Sequence, residues 1–263
     1  MNTNTMNVSL QAVVRIVREA AQLMRVTDFD VMQKGACTNI VTSTDIAVQQ
    51  YLCENLHILL PHAGFICEES DFFDTSSSQV WIIDPIDGTA NFARGHQDCA
   101  ISVALVSDGT PVLAVVYSLF SNVLYVAEAG KGAFRNGLSM KVSCRGLAES
   151  MACGGFSLYD KRMSPLCWRV FEELFYQCND FRCIGSAALG LSALAAGMYD
   201  MFFEIRLSPW DYAAAQLLIV EAGGVVTTLQ GKPLTYDKPQ AVVAANGVEN
   251  HRLLLQVIEK YQR

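Results

Sequence analysis

From Leu10 onward, apolar residues recur at Val13, Val14, Val17, Ala21 and Met24, with Arg15, Arg18 and Glu19 off that face. This is the spacing of a helix with one buried side. A polar stretch follows from Lys34 to Thr44. Val48, Tyr51, Leu52 and Leu56 then give a second helix its apolar stripe, with Asp45 in its first turn and Pro61 at its end. Beyond it the period shortens. Gly64-Phe-Ile-Cys-Glu-Glu-Ser70 reads as a short strand running into acids. Val80-Trp-Ile-Ile-Asp84 is apolar up to its last residue, as a central strand is. Ile101 to Val106, Pro111 to Tyr117 and Val123 to Ala127 read as antiparallel strands, joined at Asp108-Gly109 and Ser121-Asn122. Gly130 to Gly137, with its Asn136-Gly137, predicts a further hairpin.

Past about residue 140 the texture changes. Leu166 to Tyr176 is helical in pattern, and Ser186 to Met198 is an Ala/Leu-rich helix. Met201 to Glu204 predicts a strand, and Asp211 to Ala222 a helix ended by Gly223-Gly224. Val225 to Thr228 and Ala241 to Ala245 predict strands, and Asn250 to Tyr261 a last helix. There is no internal repeat, low-complexity segment or obvious linker. The pattern predicts two lobes sharing a cleft, in a layered mixture of helices and sheets.

Composition narrows the function classes. The chain has 263 residues, 51% hydrophobic and 17% charged, enough apolar material for a sizeable core. Its formal net charge of −7 argues against general nucleic-acid binding, which needs a basic footprint. It leaves room for phosphorylated substrates where metal ions carry the positive charge. The nine cysteines include no CxxC pair, which disfavours a zinc knuckle or thioredoxin-type site. They read as free thiols of a reducing cytoplasm. Met1 to Asn7 shows no signal-peptide pattern, and no apolar run reaches the ~18 residues that span a bilayer. The expectation is a cytoplasmic protein with no membrane partner.

The chemistry concentrates in Trp81-Ile-Ile-Asp-Pro-Ile-Asp-Gly-Thr-Ala-Asn-Phe92. Here a hydrophobic strand ends at Asp84, and Pro85, lacking an N–H, is expected to stop the ladder. Asp87 follows, and Gly88-Thr89 open a possible helix. Two carboxylates there can converge on a cation, while backbone N–H groups face an anion. Alone, the stretch reads equally as a turn, since Asp-Pro and Asp-Gly are common turn dipeptides. Two further places weigh toward the metal site. Glu68-Glu69 end a strand-like run, where alternation lets only one of the pair enter a given site. Ser208-Pro-Trp-Asp211 precedes an Ala-rich helix, where Asp211 also reads as a helix N-terminal charge.

Glu68-Glu69-Ser70, the run Trp81 to Phe92, and Trp210-Asp211-Tyr-Ala-Ala214 with Glu221-Ala-Gly-Gly224 together resemble the inositol monophosphatase family of Mg²⁺-dependent, lithium-sensitive phosphomonoesterases. Lys34 with Val41-Thr42 and Asp45 fits that family's first loop, and Ala129 to Gly137 fits its hairpin. The resemblance implies a layered αβαβα sandwich of the sugar-phosphatase type, in the α+β to α/β class. It implies one two-lobed unit, with residues 1–140 carrying most metal ligands and 141–263 completing the substrate pocket. Two or three Mg²⁺ or Mn²⁺ ions are implied. Glu68, Asp84 and the Ile86 carbonyl would hold the first, Asp84, Asp87 and Asp211 the second, and Glu68 with waters a looser third. Thr89, with Asp45 and Glu68 nearby, would orient the metal-bound water that attacks phosphorus. The N–H groups of Gly88 and Thr89 would hold the phosphate. Gly185, Ser186, Ala187, Glu204 and Asp211 would line the pocket for the alcohol portion. The implied substrate is a small phosphate ester, with myo-inositol 1-phosphate leading, and the implied assembly is a homodimer. Asn91-Phe92 after Gly88-Thr89-Ala90 resembles the inositol branch rather than the 3′-phosphoadenosine branch, which more often has Lys-Glu-Phe there.

Elementary electrostatics points the same way. Like charges ~4 Å apart repel by ~4 kcal/mol at an effective dielectric near 20. Several carboxylates in one cleft therefore call for divalent cations. An all-oxygen donor set without His or Cys favours Mg²⁺ or Mn²⁺ over zinc. The departures from the family are Cys67 where Gly is more frequent, Asn39 where many members have Asp, and Arg94 where His is frequent. Asn39 adds no charge, so a third ion is expected to bind more weakly. Arg206, two residues after Glu204, reads either as a solvated strand residue or as a contact for a second anionic group. Gly185 to Gly190 has P-loop glycine spacing without the Lys and reads as a helix start. No GxSxG is present, and His57, His62, His96 and His251 lack ligand spacing. Trp168 and Phe171 to Tyr176 read as helix packing. Competing functions are a fructose-1,6-bisphosphatase or NADP(H) phosphatase on the same scaffold, a transcription-associated binding protein, and a structural metal site without catalysis.

Overall fold

The computed structural model describes residues 8–25, 28–33, 40–70, 77–156 and 161–262. Lys34, Cys37 and Asn39 lie outside the described residues. Along the chain, helix α1 (Leu10–Ala21) leads to strands β1 (Val31–Gln33) and β2 (Ile40–Thr42), then to α2 (Ser43–Leu59). Next come β3 (Gly64–Cys67), β4 (Gln79–Asp87), the one-turn helix α3 (Thr89–Phe92), β5 (Ala100–Ser107), β6 (Thr110–Ser118), β7 (Val123–Glu128), β8 (Ala133–Arg135) and β9 (Leu138–Met140). The rest is β10 (Met151–Gly154), α4 (Ser164–Gln177), β11 (Asp180–Arg182), α5 (Ala187–Ala195), β12 (Met201–Leu207), α6 (Pro209–Glu221), β13 (Val225–Thr227), β14 (Gln240–Ala245) and α7 (Val248–Tyr261).

Strands β3 to β9 form a seven-stranded sheet in sequence order, and β11-β10-β12-β14-β13 a five-stranded one. Strand alternation assigns the faces. Trp81, Ile83, Val103 and Val115 point one way, onto Val13, Val17, Val48 and Leu52 of α1 and α2. Ile82, Ala104, Ala114 and Val116 point the other way, onto α5 and α6. Those two helices are apolar nearly all round because both sides are covered: Phe202, Val242 and Ala244 of the second sheet close over them. The outer face of that sheet, Phe203, Ile205 and Val243, packs on Val170 and Leu174 of α4 and Leu254 and Ile258 of α7. The layers are thus αβαβα, as the resemblance implies, and α5 and α6 form the shared middle.

Pro85 does not end β4. The strand runs on to Asp87, and the ladder to β5 shifts register between Asp84 and Asp87. The irregularity falls where Pro85 would have had to donate, so its missing N–H breaks no ladder bond. No described helix is long and apolar enough to cross a membrane. Every cysteine among the described residues is a free thiol.

Candidate active site

Parallel pairing brings the first two acids together. β3 lies alongside β4 with Cys67 opposite Ile83, so Glu68 and Asp84 leave the two strand ends side by side. The Glu68 N–H donates to the Ile83 carbonyl at 3.3 Å. Glu68 sits beyond the end of β3 rather than within it, and it faces the cleft; the Glu69 N–H is taken by Gln49 Oε1 at 2.8 Å. After the bulge, the chain turns at Gly88 into α3.

Three other acids are fixed by helix N-termini. Asp45 forms a capping box with Thr42 at the start of α2, accepting the Thr42 N–H at 2.8 Å. Asp211 does the same for α6, accepting the Ser208 N–H at 2.7 Å. Asp87 lies at the start of α5, where its Oδ2 accepts from Ala188 N at 2.8 Å and from Ser186 Oγ, which also caps the helix. For Asp87 and Asp211, capping and cleft placement are therefore one arrangement: those helix starts aim the acid, and their own positive ends, at the same place.

The result is a cleft of about 190 Å³. Its lining includes Glu68, Asp84, Ile86, Asp87, Gly88, Thr89, Gly185, Ser186, Ala187, Glu204 and Asp211. One carboxylate oxygen each from Asp84, Asp87 and Asp211 lies within 4.8 Å of the others. Asp45 is placed differently: it is fully buried behind the lining and reaches the cleft through Thr89, whose Oγ1 stands 3.1 Å from Asp45 Oδ1 and 3.0 Å from the Ile86 carbonyl. The Ile86 side chain points into the core, leaving its carbonyl to the site.

Glycines permit the close approach. Gly88 has φ +92°, and a Cβ there would stand 2.8 Å from the Asp98 carbonyl and 3.2 Å from that of Gly185. Asn91 bridges the two loops, its Nδ2 donating to the Asp98 carbonyl at 2.7 Å and the Ile184 carbonyl at 2.8 Å. On the far wall, a Cβ at Gly155 would fall against the Glu204 carboxylate, so a side chain there would require Glu204 to move. Gly154, Gly155, Phe156, Cys153, Cys183 and Leu207 also line the cleft, and sequence reasoning did not find them. The adjacent Gly154-Gly155 pair was the available signal.

Burial and mutual repulsion perturb these carboxyls. Asp84 is pushed well above the usual range, first by burial and then by Glu68, Asp87 and Asp211. Asp211 rises for the same reasons, burial first. Burial lifts Asp87 to about 6 against the lowering effect of Ser186 and the α5 amides, and lifts Glu204 to about 8 with help from Asp87. Asp45 rises by burial, opposed by its bonds to Thr42 and Thr89. Three converging, charge-frustrated carboxylates with only oxygen donors fit a hard divalent cation.

A family model described as "Inositol monophosphatase family" matches residues 2–263. The "Nus factor SuhB" of Escherichia coli (strain K12) is 36% identical over 233 residues, covering 86% of this chain and 87% of that protein. The Thermotoga maritima "IMPase TM1415" is 31% identical with a TM-score of 0.85, covering 96% of this chain and 97% of that one. A structure described as "IMPase/NADP phosphatase complexed with Mg2+ and phosphate" is 26% identical with a TM-score of 0.81, covering 93% and 91%.

Proposed function

The chain belongs to the inositol monophosphatase family, and from that premise we propose that it is a divalent-metal-dependent phosphomonoesterase. The observation that carries this is the convergence of Asp84, Asp87 and Asp211 within 4.8 Å beside the Gly88-Thr89 turn. Asp84, Asp87 and Asp211, with Glu68 and the Ile86 carbonyl, would hold two or three Mg²⁺ ions, and Mn²⁺ in their place. When bound, such ions supply Lewis acidity at the phosphate and at the attacking water.

The chain's own groups do the rest. A hydroxyl has one proton, so when Thr89 Oγ1 donates to Asp45 its lone pairs are left to accept from water and orient it. Asp45, held high by burial, is the base at the end of that relay. Glu68 flanks the same space. The N–H groups at Gly88 and Thr89, at a helix start, hold the phosphate. Ser186 fixes Asp87 and, with Gly185 and Ala187, shapes the wall for the alcohol portion. Glu204, whose carboxyl is pushed up to about 8 by burial and by Asp87 before any cation is bound, faces the alcohol portion and would hydrogen-bond a substrate hydroxyl there.

Myo-inositol 1-phosphate is the leading substrate, with fructose 1,6-bisphosphate and NADP(H) as competitors. Lithium inhibition and a homodimer go with this reading. Phosphate release from a panel of these esters, with Mg²⁺ and with chelator, tests it. A second reading rests on the Escherichia coli relative's being named a Nus factor: a transcription-associated binding role in the cytoplasm, by protein contacts rather than direct nucleic-acid binding, given the net charge of −7. Asp84→Asn separates the two, since binding survives it and turnover does not.

A further inference from the structure

Among the described residues lining the cleft, Arg206 is the one that carries positive charge. Its strand explains why it is there. Along β12, Met201, Phe203 and Ile205 pack into the outer core, while Phe202, Glu204 and Arg206 line the cleft. Exposure rises along this face, from buried Phe202 to half-buried Glu204 to exposed Arg206. The ladder to β14 is irregular between Glu204 and Leu207, at the position of Arg206. A purely solvated arginine is expected on an outward face; this one is on the face that β12 turns to the site.

Arg206 makes no ion pair or hydrogen bond with any described residue, although acids crowd the same cleft. With divalent cations neutralising those acids, the guanidinium is not needed as their counter-charge, and it gains only from an added anion. It stands two strand residues, about 6–7 Å, outward from Glu204. Since Glu204 faces the alcohol portion, Arg206 faces whatever that portion carries at its far end. A guanidinium offers a fork of donors matched to phosphate.

We propose that Arg206 is a specificity-determining residue that binds a second phosphate on the alcohol portion, so that a sugar bisphosphate is turned over more efficiently than its singly phosphorylated counterpart. This rests on the phosphatase reading above. Fructose 1-phosphate and fructose 1,6-bisphosphate differ only in that second group and serve as the probes, with inositol 1-phosphate as a third ester. The wild-type protein is expected to show a bisphosphate-to-monophosphate ratio of kcat/KM of about tenfold or more, carried mainly by KM and shrinking as salt is raised. Arg206→Ala is expected to bring the ratio near one, and Arg206→Lys to keep part of it. A wild-type ratio near one, a ratio indifferent to salt, or an unchanged ratio in either variant overturns the proposal while leaving the phosphatase reading in place. Failure of the wild-type protein to hydrolyse any of the three esters with Mg²⁺ overturns both.

Discussion

Replacing Asp84 with Asn separates the two things that this carboxylate does. The ligand oxygens of Asp84, Asp87 and Asp211 lie within 4.8 Å of one another. At an effective dielectric near 20, each ionised pair at that distance repels by about 3.5 kcal/mol. The trio fully ionised would cost about 10 kcal/mol, comparable to the whole stability of a typical domain. Without metal the protein escapes by retaining protons: burial first, and then the repulsion from Glu68, Asp87 and Asp211, holds the carboxyl of Asp84 high. The Asn side chain keeps the Oδ1 that accepts the Ile86 N–H at 3.0 Å and removes two of the three repulsive pairs. In chelator, Asp84→Asn should therefore melt no lower than wild type, and its advantage should grow from pH 6 to pH 8. At Mg²⁺ a hundredfold above its dissociation constant, wild type should gain about 2.7 kcal/mol, a rise of roughly 5–10 °C in Tm. The variant should show little of that rise, and its phosphate release should fall by about two to three orders of magnitude. Thermal melts in chelator and in Mg²⁺, beside a phosphate-release assay, read all of this. A variant that is less stable than wild type in chelator and still gains the full Mg²⁺ shift would show that Asp84 is neither a source of repulsion nor a metal ligand.

Glu204 gives a pH signature. Its carboxyl is raised to about 8 from a reference near 4.5, so its contribution to stability is complete below about 4.5 and is lost as pH rises through about 8. In chelator, the Tm of wild type should fall more steeply between pH 5 and 9 than that of Glu204→Gln; parallel curves would contradict this. Gly88→Ala forces a side chain into a left-handed turn and against the Asp98 carbonyl, and should cost at least about 1–3 kcal/mol together with the activity. Asp200 is fully buried and accepts from Met151 N at 2.7 Å, from Arg145 Nε at 3.1 Å and from Ser143. Asp200→Ala leaves the Met151 N–H and the Ser143 hydroxyl without their acceptor, while Arg145 stays in water, and should lose about 1–3 kcal/mol in denaturant melts, with little change in the Mg²⁺-induced Tm shift of the protein that remains folded.

The central layers were legible because long strands and amphipathic helices repeat their period often enough to show it. β4 to β7 and helices α1, α2 and α6 all fall near their expected spans. β1, β2 and β11, three residues each, and β10, four, were not expected, because so short a run contains barely one alternation and is set by its pairing partners. Pro85 misled for a related reason: its effect depends on whether a ladder partner stands opposite, and only the β5 register decides that. The acids were legible as motifs, yet two rival readings of Asp211, helix cap and cleft residue, are both true of the structure. What no local pattern conveys is depth. Asp45 lies behind Thr89 rather than on the cleft wall, and Gly155 matters because Glu204 arrives from a strand, 49 residues further along the chain.

The most direct measurement is phosphate release from inositol 1-phosphate by protein stripped with chelator and then titrated with Mg²⁺, following proton uptake or release in the same titration. No turnover is expected without metal, then recovery that saturates with Mg²⁺, with protons released as the frustrated carboxyls ionise around the ions. Turnover that continues at the same rate in chelator, or Mg²⁺ recovery with no protons released near pH 6, would contradict this.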